Sequence, residues 1–177
     1  MLSIELLSDA FGRIRDLVHA ALEDADLDVL TFRADPEANT IAWLLWHLTR
    51  VQDDHIADLM GEDQVWMTGG WADRFALPFD PAATGYGQKA AEVAAVRSDG
   101  MLLAGYHDAV HTRTIQYLST LGETDFARIV DTRWDPPVTL AVRLVSIVAD
   151  DLQHAGQASY VRGLARRRGI LAAGLSG

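Results

Sequence analysis

The stretch Asp150-Asp151-Leu152-Gln153-His154-Ala155-Gly156-Gln157 lies within residues 138–168, where apolar side chains recur at helical spacing. At 100° per residue, Leu144, Ile147, Val148, Ala155, Ala158 and Ala165 share one face of a helix, and Asp150 and His154 lie together along its edge. A carboxylate and an imidazole one turn apart, half turned into a core, need a partner. A shared proton, a hydrogen bond to another helix, or a divalent metal held by both would each serve.

Working outward, three more segments carry the same period. Ile4, Leu7, Phe11, Ile14, Val18, Ala21 and Leu22 predict a first helix over about residues 2–26. Asn39 or Thr40 can cap a second over 40–60, ended by Gly61, with Ile41, Leu44, Leu48, Val51 and Leu59 as its stripe. His47 and Asp54 border that stripe, while Arg50, Gln52, Asp53 and Asp58 read as solvent-facing. A short helix over 88–97 leads to a long one over 98–121, with Ser98 as its cap and Gly122 as its stop. Between the second and third long helices, residues 61–88 lose all period and mix glycine and proline with Trp66, Trp71, Phe75, Phe79 and Tyr86. A packed loop of that length points to a cover over a pocket, or to a plug at one end of the molecule. Residues 126–139, with Trp134, Pro136 and Pro137, read as extended and turn-like. Strand signals are otherwise almost absent, so the fold class is all-α: an up-and-down four-helix bundle with a long aromatic-rich loop. The 177 residues fit one domain spanning 1–177.

Composition removes several classes of function. With no cysteine there is no disulfide, no thiolate metal site and no cysteine nucleophile, so a metal must be held by nitrogen and oxygen. The first thirty residues carry Glu5, Asp9, Arg13 and Arg15 among the apolar ones, which predicts neither a signal peptide nor a membrane span and gives a cytoplasmic reading. A formal charge of -10 repels phosphates, and Arg166-Arg167-Arg168 sit where a helix C-terminus attracts cations anyway, so nucleic acid is not an expected partner.

In such a bundle the second and fourth long helices can face each other, which brings His47 to Asp150 and His154. Two imidazoles and one carboxylate make a three-ligand divalent site with an open position. Asp150 is the preferred carboxylate because it projects beside His154; Asp151, nearer the middle of the apolar stripe, is the fallback. A buried His-Asp pair without metal is the competing reading. His107 and His111 form a rival pair on the third long helix, His55 reads as a core or supporting histidine, and His19 as a surface one.

These residues carry a family resemblance. Trp-His-Leu at 46–48, and Asp-x-x-x-His-Ala-Gly-Gln at 150–157 followed by Tyr160, Arg162 and Gly163, resemble the DinB-like superfamily over nearly the whole chain. Within it, the chain looks most like the subgroup with mycothiol-dependent maleylpyruvate isomerase-like N-terminal domains. The resemblance implies a divalent metal, zinc or nickel, at His47, Asp150 and His154. Many members have histidine at the position of Asp150, whereas the isomerase branch is acidic there, which points to the thiol-using branch.

The function so implied is a metal-dependent S-transferase or isomerase, in which a mycothiol-like small thiol is activated on the metal and attacks an electrophile. Arg162 is expected to hold a carboxylate of the thiol or substrate, or else to pair with a neighbouring helix. Asp54 either orients His47 or faces water, and Trp43 and Trp46 line the pocket or pack on the loop. Two other classes compete: a non-catalytic metal-binding or stress-response module, and a hydrolase using Asp54 or Asp151 as base. A homodimer pairing through the first and third long helices is expected.

Overall fold

The computed structural model describes residues 2–170, and the elements are all-α apart from one small hairpin. Eight helices are present among these residues: α1 (Ser3–Leu22), α2 (Leu27–Thr31), α3 (Ile41–Met60), α4 (Val65–Thr68), α5 (Trp71–Phe75), α6 (Ala90–Ala95), α7 (Gly100–Ser119) and α8 (Leu140–Arg167). Their ends follow local chemistry. The Thr40 hydroxyl accepts the Trp43 N–H at 3.0 Å to start α3, and Gly61, at φ +67°, closes it in the left-handed conformation that glycine adopts without strain. At α7 the cap is Asp99, which accepts the Leu102 N–H at 2.7 Å, and not Ser98; both are capping residues and the sequence does not separate neighbours. The last residues before α8 form an antiparallel pair, β1 (Ile129–Asp131) and β2 (Val138–Thr139), with a register shift between Ile129 and Asp131.

Four long helices pack in a ring in the order α1, α7, α3, α8. Contacts at their ends give the directions. Arg15 and His19 meet Asp108 while Leu22 lies against Gly100, so α1 and α7 are antiparallel. Thr49 meets His107 and Gln52 meets Thr114, so α3 and α7 run the same way. Phe11 and Ile14 of α1 share one core cluster with Ile56 near the end of α3, Leu118 near the end of α7, and Leu144 and Ile147 near the start of α8. Directions therefore alternate except from α3 to α7. Two parallel helices in sequence oblige the chain to return the full length of the bundle, about 30 Å for 20 residues, and that return is the aromatic segment.

On its way back the segment folds into α4 and α5, which are too short to show a helical period, and lays Trp66, Trp71 and Phe75 against α3 and Tyr106 of α7. Three residues that the sequence assigns to solvent are buried: Arg50 and Gln52 are 0% exposed and Asp53 1%, Gln52 bonded to Thr114 of α7 and the other two held by the returning segment. Asp53 accepts the Val65 and Trp66 N–H groups at the start of α4 and the Tyr106 hydroxyl at 2.8 Å. The Arg50 guanidinium donates to Gln64 Oε1 at 2.6 Å and to the Ala83 carbonyl at 3.1 Å, and lies over the Trp66 ring. These bonds satisfy a buried ion pair, Arg50 to Asp53 at 3.8 Å, whose disruption would cost about 3–5 kcal/mol.

The core also holds titratable groups. His107 is fully buried with only Thr49 on its Nδ1, and burial holds its imidazole down to about 3. Below pH 6.5 the unfolded chain binds a proton there that the folded chain refuses, so its contribution to stability is lost as pH falls. Between pH 7 and pH 5 that loss is about 2 kcal/mol. Asp151, pushed up by burial, acts in the opposite sense, so the measurement is a comparison: urea unfolding of wild type and His107→Gln at both pH values, with the wild type losing more by that amount.

Candidate metal centre

α3 and α8 run antiparallel, and their seam brings together the three residues expected there. Among the described residues, His47, Asp150 and His154 form the group of three metal-ligating side chains, with one ligand atom from each lying within 4.8 Å of the others. The rings of His47 and His154 meet edge-on at 4.8 Å, and His154 Nε2 is 3.6 Å from Asp150 Oδ1.

His47 is positioned from outside the cluster. His47 Nδ1 donates to the carbonyl of Thr84 at 2.5 Å, which leaves Nε2 with the lone pair a cation requires. The Trp43 ring stacks on His47 at 4.6 Å and 17°, edges His154 at 6.2 Å, and is itself fixed by Nε1 donating to Gln88 Oε1 at 2.7 Å. Gly85, at φ +97°, lets the return segment turn over the imidazole; a Cβ there would stand 2.6 Å from His47 Nδ1. Burial pushes the His47 imidazole down, and the His154 ring holds the Asp150 carboxyl below its usual range. Both effects favour neutral imidazole and ionised carboxylate, the forms that ligate a divalent cation.

Two buried polar atoms in this group have no hydrogen-bond partner: Asp150 Oδ2 and His154 Nδ1. An orphaned carboxylate oxygen and an orphaned imidazole nitrogen beside a third imidazole fit a divalent ion of the borderline class, since two nitrogens and one oxygen suit Zn²⁺ or Ni²⁺. Asp151 is elsewhere. It is 0% exposed, on the core face, with neither oxygen partnered, and burial favours its neutral form.

The remaining sequence candidates fall outside the cluster. His107 is in the core and His111 is half-buried beside it. His55 receives Arg143 at 3.0 Å, and Arg143 also pairs with Asp131 at 2.8 Å. His19 pairs with Asp108 at 2.9 Å on the surface. Arg162 donates to the backbone carbonyl of Glu23 and lies 3.8 Å from that residue's carboxylate, as in the expected pairing with a neighbouring helix. Asp54 accepts from Gln64 at 2.6 Å, and the support of His47 comes from a backbone carbonyl instead. Sequence reasoning missed Thr84, Gly85 and Gln88. A carbonyl leaves no side-chain signature, though a glycine pair around an aromatic, Gly85-Tyr86-Gly87, marks a turn that approaches something closely.

One helical turn from the cluster on both helices, a cleft of about 460 Å³ opens between Leu44 of α3 and Gln157 of α8. Asp35, Asn39, Gln157 and Tyr160 give it polar groups, and Leu44, Val161 and Leu164 an apolar floor. No helix of the described residues is long and apolar enough to cross a membrane.

Residues 6–166 match the family described as mycothiol-S-transferase. Among solved structures the chain is similar to a conserved protein from Enterococcus faecalis at 30% identity and a TM-score of 0.85, over 92% of this chain and 96% of that one. No curated protein matches.

Proposed function

Because the chain belongs to the mycothiol-S-transferase family, a DinB-like family, we propose that it transfers a small-molecule thiol, of the mycothiol type, to an electrophilic substrate at a divalent metal held by His47, Asp150 and His154. The observation that carries this reading is the pair of orphaned ligand atoms on Asp150 and His154 beside His47. When bound there, a divalent cation lowers the pKa of a coordinated thiol so that the thiolate is available at neutral pH.

The chain's own residues set the conditions. Two neutral imidazoles and one carboxylate leave a divalent ion with one net positive charge, which suits an anionic sulfur. With no cysteine, the protein supplies no nucleophile, so the sulfur must arrive on the co-substrate. Trp43 shields one side of both imidazoles, and the polar lining of the neighbouring cleft offers donors and acceptors to a hydroxyl-rich carrier of that sulfur. In the transfer, a carbon–sulfur bond forms, the thiol proton passes to solvent, and the electrophile's leaving group departs with its electron pair. Zinc is the first choice of metal and nickel the second.

A hydrolytic reading is less well supported. The bases it would use are engaged elsewhere, Asp54 with Gln64 and Asp151 in the core. The protein is expected to consume an electrophile such as an activated aryl halide only when thiol is added, with mycothiol, bacillithiol and glutathione compared. Metal-dependent turnover undiminished in thiol-free buffer would replace transfer by hydrolysis, and no turnover with any thiol would favour a binding module. The proposal includes a homodimer.

A further inference from the structure

Asp150 stands midway along one line of α8. Seven residues are within about 20° of two full turns, so Arg143 and Gln157 lie on the face of Asp150, each about 10 Å from it along the helix axis. Gln157 lines the cleft assigned to the thiol. Arg143 marks the opposite approach to the metal centre, and a thiol transfer has a second substrate to admit. Along that approach the seam of α3 and α8 is not closed. Val51, Asp54 and His55 of α3 and Arg143 of α8 are only partly buried, and Ser146 of α8 is exposed.

His55 has a fixed polarity in this seam. Arg143 Nη1 lies 3.0 Å from His55 Nδ1, and a guanidinium can only donate, so Nδ1 accepts and the proton of the neutral ring is on Nε2. Arg143 is itself held by Asp131 of β1 at 2.8 Å, a carboxylate that Arg133 also grips at 2.8 Å. Burial and the Arg143 charge push the imidazole down, which keeps the ring neutral at pH 7. The ring is near enough to Asp150 to feel its charge, along with those of Asp54 and Asp58. Nε2 has no partner among the described residues and is not shut off from solvent. It is a donor with its acceptor still to come.

On the reading that a thiol is transferred at this centre, we propose that the seam between Asp150 and His55 holds the electrophile, His55 Nε2–H donating to a nitro or carbonyl oxygen across the ring from the carbon attacked. The separation of about 10 Å suits a sulfur, one six-membered ring with its acceptor oxygen, and a hydrogen bond. As the carbon–sulfur bond forms, electron density moves onto that oxygen, where the N–H stabilises it. The density returns as the bond to the leaving group breaks and a halide departs with the electron pair. His55 keeps its proton throughout, and Arg143 and Asp131 are positioning residues that hold it on Nε2.

Two readouts do not depend on turnover. Long-range proton–nitrogen NMR of the protein as purified should show His55, identified by its loss in His55→Gln, as the Nε2–H tautomer at neutral pH, and Arg143→Met should give a mixture of both tautomers. Dinitrobenzene, which has no leaving group, should bind without thiol and shift the His55 nitrogen resonances. In turnover of chlorodinitrobenzene, His55→Leu should lower kcat/KM for the aryl halide about tenfold, with the KM for thiol and the metal content unchanged. His55→Gln, whose amide N–H can stand near the Nε2 position, should restore most of the loss. An Nδ1–H tautomer in the wild type, dinitrobenzene that does not bind or binds without shifting His55, or equal kcat/KM in wild type and His55→Leu would each overturn the proposal. Absence of turnover with every thiol would overturn the transfer reading alone, the tautomer and dinitrobenzene results still deciding this subsite.

Discussion

His154→Ala should reduce the divalent metal from about one ion per chain to none. Removing one of three ligands leaves His47 and Asp150, and two ligands on a surface seam do not retain Zn²⁺ against buffer at micromolar concentrations. The substitution also removes the edge contact with Trp43 at 6.2 Å, but His154 lies at the margin of the core, so the helical fold should survive. Elemental analysis of protein purified without chelator measures the first effect and circular dichroism checks the second. Thermal stability should separate them further: the wild type should lose several degrees with a chelator, by the linkage between binding and folding, and the variant none. Equal metal in the two proteins would remove the assignment of the centre.

The second large effect is expected at a residue that ligates nothing. Gly85→Ala places a Cβ 2.6 Å from His47 Nδ1 and 3.1 Å from the Trp46 ring, at a φ of +97° that alanine resists. Either the return segment lifts, and the Thr84 carbonyl leaves His47, or the imidazole rotates away from Asp150 and His154. Both outcomes weaken metal binding, by about 10- to 100-fold if loss of an orienting partner is the main effect. Gly87→Ala is the control. It has a similar backbone strain, φ +74°, but nothing lies within 4 Å of its Cβ, so it should lower stability by about 1 kcal/mol and leave affinity nearly unchanged. Competition titration of Zn²⁺ against a chromogenic chelator compares the three proteins. If both glycine variants lose affinity alike, the contact with His47 is not the cause.

The long helices were legible in the sequence because each carries a continuous apolar stripe, and the seam of His47 with Asp150 and His154 was legible because all three border such stripes. The direction of α7 was not. A stripe specifies which face of a helix is buried, and says nothing of which way the helix runs. Arg50 and Asp53 were misread for a related reason. They lie off the apolar stripe of α3, and only the return of residues 61–88 over that side brings Gln64, the backbone N–H groups of Val65 and Trp66, and the Ala83 carbonyl to meet them. α4 and α5 were invisible at four and five residues, below the length over which a period can be counted. Support of His47 by Thr84 belongs to the same class, being a backbone contact between residues 37 positions apart.

The parallel run of α3 and α7 has a consequence for how the protein can diversify. Returning about 30 Å requires only nine or ten residues in extended form, and residues 61–99 are several times that number. The surplus folds back on the bundle: Trp66, Trp71 and Phe75 pack against α3 and Tyr106, Asp53 holds the start of α4, and the Thr84–Gly85 turn covers His47. Exposed positions between those anchors, such as Met67 and Tyr86, can be exchanged without shifting any of the four long helices. His47, Asp150 and His154 on α3 and α8 thus stand on a frame that need not change when the exposed positions of the return segment, a single contiguous stretch of the gene, are rewritten.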